Sequence, residues 1–338
     1  TGAWYNPAGL AKAEQEITIE FSAIPGRRAF DNYSNDFDRI KYGIEYDYSG
    51  ETDYGGFLGY TTSGFAAYIG RIYTLDMYRP ITGNTKVGDT VGRFKETINL
   101  VGLAYGRAID KEGKFKLGIS LEVVTYVTRD MNVWYFHREE DGINYAVPVD
   151  ELENEFGGSG SVGFLFELVD KPEQSLNITL GGVYRFRSSG FKSEEDSGSE
   201  YIFLDQMVLT KPKSMAFGAA ITKSTFTLAL QYSSTDWSTT NEYIDNRYDT
   251  FSIGGEYLLG SESLAIALRA GYFSSNTAKE NEYWPDMNGI TGGIGLLFSE
   301  KLGLDITIEN RTFSFPDNPG KKNTHISVGV VYIFSEDD

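Results

Sequence analysis

The ten residues from 264 to 273, LAIALRAGYF, constrain the fold most strongly, because apolar side chains alternate there with small or charged ones. In a β-strand successive side chains point to opposite faces. Ile266 and Leu268 therefore share one apolar face, whereas Arg269 lies on a face that accepts a charge. The same pattern returns along the chain without obvious helices to cover the apolar face. The sequence therefore predicts an all-β fold built from many similar strands.

Segments of this kind recur about fourteen times, and the connections between them alternate in length. Short turns such as 110–113 alternate with long polar stretches such as 25–53, 130–156 and 190–208. An up-and-down outer-membrane barrel has short turns at one end and long loops at the other, whereas a β-solenoid or another soluble all-β fold gives no reason for this order. The sequence therefore predicts a transmembrane antiparallel up-and-down β-barrel of about 14 strands over 15–335, with long extracellular loops.

Charge and composition exclude several classes of function. The formal net charge of −18 argues against a nucleic-acid partner, because binding phosphates requires a basic surface. Acidic runs fall in the predicted loops, where they either keep the loops solvated or bridge through divalent cations to lipopolysaccharide. No stretch approaches the roughly 18 apolar residues of a transmembrane helix. The chain has no cysteine, and its two histidines lack the spacing of a catalytic triad or metal site, so no enzyme activity, metal or cofactor is predicted.

In such a barrel the apolar strand faces contact lipid and the opposite faces line the lumen. Both signs of charge occur on the inner faces, where they either pair with one another and with a plug or form a selectivity ring. Small residues also line single strand faces at 102–108 and 293–295, which lets another segment approach closely. The candidate lumen charges are Arg185, Arg187, Glu256, Arg269, Asp305, Glu309 and Arg311.

The first fourteen residues do not alternate, and they contain the run Asn6, Pro7 and Ala8. This run resembles the Asn-Pro-Ala motif of the FadL/TodX family of outer-membrane transporters for hydrophobic compounds, in which the motif lies just before the first strand. The resemblance implies that residues 1–14 are the remnant of an N-terminal plug, or hatch, inside a fourteen-stranded barrel. PorV-like proteins of type IX secretion share the barrel and a similar motif. Without the resemblance, Asn6 to Gly9 reads as a turn or helix start before the first strand.

The resemblance implies passive uptake of hydrophobic small molecules, of the long-chain fatty acid or aromatic hydrocarbon class, across the outer membrane of a Gram-negative-type bacterium. The ligand would bind in a lumenal pocket and leave through a lateral opening near the third strand, with membrane lipid and lipopolysaccharide around the barrel. The alternative is a PorV-like assembly module whose loops hold another outer-membrane protein; a nonspecific porin fits the plug motif less well. The candidates for the lateral opening are Ser63, Gly64 and Gly70, and those for the pocket are Phe65, Tyr68 and Ile72.

Overall fold

The computed structural model describes residues 5–24, 53–80, 90–138, 143–171, 174–189, 211–236, 247–261, 263–278, 286–314 and 319–334. These residues form one short 3-10 helix and fourteen antiparallel strands, each paired with its neighbours in sequence, and β1 closes the barrel against β14. The predicted fourteen-stranded barrel is thereby confirmed. No helix in these ranges is long and apolar enough to cross a bilayer.

The N-terminal helix, Pro7–Lys12, precedes the strands, whose bounds are β1 Glu16–Ile24, β2 Asp53–Thr62, β3 Phe65–Pro80, β4 Thr90–Ala108, β5 Phe115–Arg138, β6 Ile143–Lys171, β7 Leu176–Arg185, β8 Lys213–Lys223, β9 Phe226–Asp236, β10 Arg247–Ser261, β11 Leu264–Thr277, β12 Asp286–Phe298, β13 Leu302–Ser314 and β14 Pro319–Ile333.

The two ends of the barrel differ in the length of their connections. At one end the turns are short, and the turn between β2 and β3 holds Gly64 at φ +81°, a left-handed conformation that favours glycine. The barrel starts and finishes at this end, since Glu16 pairs with Ile333. Of the long loops predicted at the other end, 25–53 and 190–208 lie outside the described residues, apart from the first residue of β2.

The prediction of a third long loop, at 130–156, is wrong. β5 continues to Arg138 and β6 begins at Ile143, and these two residues are paired at the tip of one long antiparallel ladder. His137, expected in that loop, is therefore part of β5. The segment 131–136, MNVWYF, is aromatic and β-branched, and this local preference for strand outweighs the acidic residues that indicated a loop.

Asp110 organises the short turn between β4 and β5. Its carboxylate accepts hydrogen bonds from the backbone N–H of Phe115 at 2.7 Å and of Lys114 at 3.1 Å. These bonds favour the ionised form and lower the pKa of Asp110 below its ordinary value. The stabilisation of the turn is therefore present above the unfolded-state pKa and is lost as the pH falls through the folded-state pKa.

The outer face of the barrel is apolar. Leu121 is 70% exposed, Ile290 67% and Leu103 65%, and they belong to a set of large exposed apolar side chains distributed over the strands. Water would penalise such a surface, whereas the hydrocarbon core of a bilayer accepts it, and the closed barrel leaves no strand edge that lipid would have to satisfy. The outward apolar faces predicted from the alternation are confirmed.

Candidate functional site

The N-terminal helix lies on the inner wall of the barrel, against β4, β5 and β6. Asn6 caps the helix, since its Oδ1 accepts the N–H of Ala8 at 3.1 Å, and Pro7 occupies the first helical position, where its missing N–H costs nothing. The Nδ2 of Asn6 also donates to two strand carbonyls, those of Phe164 at 3.0 Å and Gly182 at 3.2 Å. One side chain thus starts the helix and fixes it to β6 and β7.

Three glycines make room for this helix. Gly106, Gly118 and Gly163 lie directly opposite one another on β4, β5 and β6. A Cβ atom at any of them would overlap the segment: at Gly106 the carbonyl oxygen of Pro7, at Gly118 the backbone of Pro7 and Ala8, and at Gly163 the side chain of Asn6. The sequence indicated Gly106 within a row along one strand, but this row runs across strands and depends on their register.

Ion pairs and hydrogen bonds hold both ends of the segment. Arg185 Nη2 donates to the carbonyl oxygen of Tyr5 at 2.7 Å, and Thr61 Oγ1 donates to the carbonyl oxygen of Glu14 at 3.0 Å. In between, Lys12 lies 2.5 Å from the carboxylate of Glu167. Residues 5–14 therefore extend along the inner wall from β7 to β2 before β1 begins.

Substitution of Gly118 by valine should displace the helix from the wall. The branched side chain would meet backbone atoms that cannot yield, and overpacking of this kind costs about 1–3 kcal/mol. Gly292→Val is the matched control, because nothing lies within 4 Å of a Cβ at that glycine. Thermal unfolding in detergent and protease cleavage within residues 1–14 measure the effect, and equal behaviour of the two variants would show that the helix does not depend on the glycine row.

The inner wall beside the helix is apolar. Leu10 packs in one cluster with Ala66 and Tyr68 of β3, and the cluster extends to Leu100 of β4 and Val124 of β5, both of which are 0% exposed. Because β4 carries apolar residues on both faces in this region, alternation alone did not reveal the inner ones. The lumen is therefore not uniformly polar.

A buried charged cluster adjoins these apolar residues. The ring of Tyr68 lies over Gly102, which has no side chain to obstruct it, and its hydroxyl donates to Glu122 Oε1 at 3.0 Å. Lys211, just before β8, forms an ion pair with the other oxygen of Glu122 and contacts Ser159 Oγ at 3.1 Å. The side chains of Glu122 and Lys211 are 4% and 6% exposed. This cluster holds the residues just before β8 against the wall formed by β5.

Pairing between β2 and β3 ends partway along the wall. Their ladder runs only as far as Phe57 opposite Gly70. Beyond this point, Asp53–Gly56 of β2 pair with β1 and Arg71–Pro80 of β3 pair with β4. We call the divergence of these two segments the β2–β3 notch. It adjoins the apolar cluster, because the ring of Phe57 stacks on that of Tyr68 at 6.1 Å.

A register irregularity marks β3 at the same level. The pairing of β3 with β4 shifts between Arg71 and Tyr73, so Ile72 is the extra residue. Such bulges bend and twist a strand. The bend lies directly after Gly70, where pairing to β2 stops, so both features act on the same part of the wall.

The predicted opening and pocket residues do not come together. Ser63 and Gly64 form the tight turn at the short-connection end, and only Gly70 borders the β2–β3 notch. Phe65 lies on the outer face, where its ring packs on Tyr105 at 4.8 Å, because it has the opposite parity to the inward Tyr68. Phe65 is therefore no lumenal residue. Ile72 belongs to β3, but its side chain lies outside the described part of the structure.

The predicted lumen charges form local pairs. Arg269 Nε donates to Glu256 at 2.6 Å, and its Nη1 donates to Asp305 on β13. On β13 itself, Arg311 donates to Glu309 two residues away. Arg185 binds the N-terminal segment as described, and Arg187 follows β7 and is exposed. Gly293 and Gly295, expected to receive another segment, instead lie beside the side chains of β11 and β13.

Among the described side chains, no group of three or more His, Cys, Asp or Glu residues is placed to hold a metal ion. Histidine does occur on the inner wall, where His325 of β14 lies opposite Glu309 of β13. The site is thus an inner wall with an apolar cluster, a bound N-terminal segment and several ion pairs.

No family model matches the chain, and no curated protein matches it. Solved structures do. A Pseudomonas aeruginosa FadL homologue has 13% identity and a TM-score of 0.62 over 99% of this chain and 94% of that one. The Ralstonia pickettii toluene transporter TbuX has 10% identity and a TM-score of 0.59 over 99% and 93%. The CymD monoaromatic hydrocarbon channel has 14% identity and a TM-score of 0.57 over 100% and 93%. The chain therefore has the fold of the FadL and TodX channels, as its N-terminal motif suggested.

Proposed function

We propose that this protein is an outer-membrane channel for passive uptake of hydrophobic small molecules. The observation that carries this proposal is the position of the apolar cluster beside the β2–β3 notch. Phe57 belongs to both features, since it packs against the cluster and forms the last β2 pair with Gly70. The likeness in fold to channels described as transporting toluene and monoaromatic hydrocarbons supports the same conclusion.

The physical logic of the route follows from the two solvents around the barrel. An apolar molecule is poorly stabilised by a water-filled pore, whereas contact with Tyr68, Leu100 and Val124 removes its surface from water once the N-terminal helix, whose Leu10 packs on these residues, moves away. The β2–β3 notch is the exit in this proposal, because the strands are unpaired there and the bilayer beyond is the favourable destination for an apolar solute. The N-terminal helix is the hatch in this proposal, because it lies against β4, β5 and β6 and its Leu10 packs in the cluster.

Closing the β2–β3 notch with a disulfide tests the route. The chain has no cysteine, so Gly56→Cys with Arg71→Cys introduces one new pair across the divergence. Cells that carry the protein in the outer membrane and lack similar channels would receive radiolabelled toluene or oleate. Uptake should fall to the level of cells without the protein when the pair is oxidised, and recover on reduction, because the bond holds the two strands together.

The matched control is Leu58→Cys with Ile69→Cys. These residues have the same outward parity but face each other within the regular ladder, so their disulfide leaves the notch unchanged. Uptake that persists in the oxidised notch variant would contradict lateral exit, whereas equal loss in both variants would point to general damage to the barrel.

A second candidate function is an assembly module that holds another outer-membrane protein, as in PorV-like barrels. The observation that favours it is the length of the β5–β6 ladder, which runs from Phe115 opposite Phe166 to Arg138 opposite Ile143. Strands of 24 and 29 residues far exceed the roughly 10 residues that cross a bilayer, so this hairpin projects beyond it. Removal of 128–149 should abolish a partner complex and spare hydrophobic uptake if both functions exist.

A further inference from the structure

The lumen has two unlike halves. On β3 to β6 the inner wall is covered by the N-terminal helix and by close packing, and Ile98 and Leu100 are at most 1% exposed. On β10 to β13 the charged inward side chains remain accessible to solvent inside the barrel, although Ala267 and Ser275 on the same face of β11 are buried. The side chain of Arg269 is 41% exposed, that of Asp305 37% and that of Glu256 30%. The charged side chains on β10 to β13 are therefore far more accessible to solvent than the packed residues of β3 to β6.

The register explains why the accessible half is polar. Arg269 faces Glu256 across the β10–β11 ladder and faces Gly293 across the β11–β12 ladder. Since Gly293 and Gly295 carry no side chain, the guanidinium extends over β12 to Asp305. The three charged groups thus lie side by side along the wall, and each of them remains accessible to solvent.

The charges facing this space are predominantly negative. Among the described side chains of β10 to β14 and β1, five inward carboxylates accompany only two inward guanidiniums, Arg269 and Arg311. The carboxylates are Glu16, Glu20, Glu256, Asp305 and Glu309. Fixed negative charge on a solvent-accessible wall raises the local concentration of cations, and the field extends over a Debye length of about 8 Å at physiological salt.

We propose that the half of the lumen lined by β10 to β14 and β1 is a second path, filled with water, that carries small cations past the N-terminal helix. We call this half the polar conduit. Its selectivity is set by the triad of Glu256, Arg269 and Asp305, which bears one net negative charge. The path is separate from the apolar cluster on β3 to β5, so the proposal goes beyond hydrophobic uptake and does not depend on it.

Reversal potentials across a planar bilayer test the proposal on the purified full chain. Under a KCl gradient the wild-type protein should favour potassium over chloride. Glu256→Gln with Asp305→Asn removes two carboxylates and leaves Arg269 in place, so the balance of inward charge becomes three carboxylates to two guanidiniums. The potassium-to-chloride permeability ratio should then fall by at least about twofold.

Asp249→Asn is the matched control, because Asp249 lies on the same strand as Glu256 but on the outer face, paired with Arg247. Its permeability ratio should equal that of the wild type. A protein that gives no conductance above that of the bare bilayer would overturn the proposal, as would an unchanged ratio in the double variant.

Single cysteines provide a second measurement in a chain that has none of its own. Thr307 faces the polar conduit and Ile306 faces outward, as their registers with Gly293 and Ile294 show. A cationic, membrane-impermeant methanethiosulfonate reagent should modify Thr307→Cys and lower conductance by about half, while Ile306→Cys does not react. Failure of Thr307→Cys to react would overturn the proposal. If toluene uptake is absent while the conductance is intact, the result contradicts hydrophobic transport and does not contradict the polar conduit.

Discussion

Replacing Lys211 by methionine should destabilise the folded barrel by about 3–5 kcal/mol, because it leaves the carboxylate of Glu122 buried without its ion-pair partner. Both side chains are less than a tenth exposed. The hydroxyl groups of Tyr68 and Ser120 still donate to Glu122, at 3.0 and 3.3 Å, so the loss should fall toward the lower end of that range. Chemical denaturation of the protein folded in lipid vesicles measures the change.

Two further variants distinguish the effect of losing the ion pair from the effect of losing side-chain packing. Lys211→Met combined with Glu122→Gln removes both charges, so most of the lost stability should return. Lys213→Met, two residues along, breaks a pair with Asp236 in which the lysine side chain is 41% exposed, and it should cost less than about 1 kcal/mol. If the double variant is no more stable than Lys211→Met, the ion pair is not the cause.

Substitution of Ile306 by arginine should cost about 2–4 kcal/mol and impair insertion, because it places a guanidinium against lipid. Ile306 is 54% exposed on the outer face of β13, in the middle of the apolar face formed by the alternate residues Leu302, Leu304, Ile306 and Ile308. Folding into vesicles, read from the shift in gel mobility of unheated samples, should be slow and incomplete for this variant.

The adjacent Thr307→Arg is its matched control. This residue faces the lumen, where Asp305 and Glu309 share its strand face and Gly293 opposite leaves space. A new guanidinium there meets water and carboxylates, so folding should differ little from that of the wild type. Equal impairment of both variants would contradict the assignment of the two faces.

The sequence by itself determined the class of fold. Alternation in segments such as 264–273 identified strands and their lipid faces, because side-chain direction depends only on the strand's own backbone. The order of short and long connections indicated the up-and-down barrel, and the run from Asn6 indicated a turn or helix start before the first strand. The prediction of a loop at 130–156 was wrong, because aromatic and β-branched residues form strand there despite their acidic neighbours.

Only the tertiary structure decided which inward residues meet. Alternation along a strand predicts which face of the sheet a side chain lies on, but it does not predict which residue the side chain meets on the next strand. The partner depends on the register of every ladder around the closed barrel. The glycine row at Gly106, Gly118 and Gly163 exists because three registers align it, and Glu122 meets Lys211 across 89 residues of sequence for the same reason. Closure of the barrel thus turned fourteen similar strands into an inner wall on which residues far apart in the sequence meet.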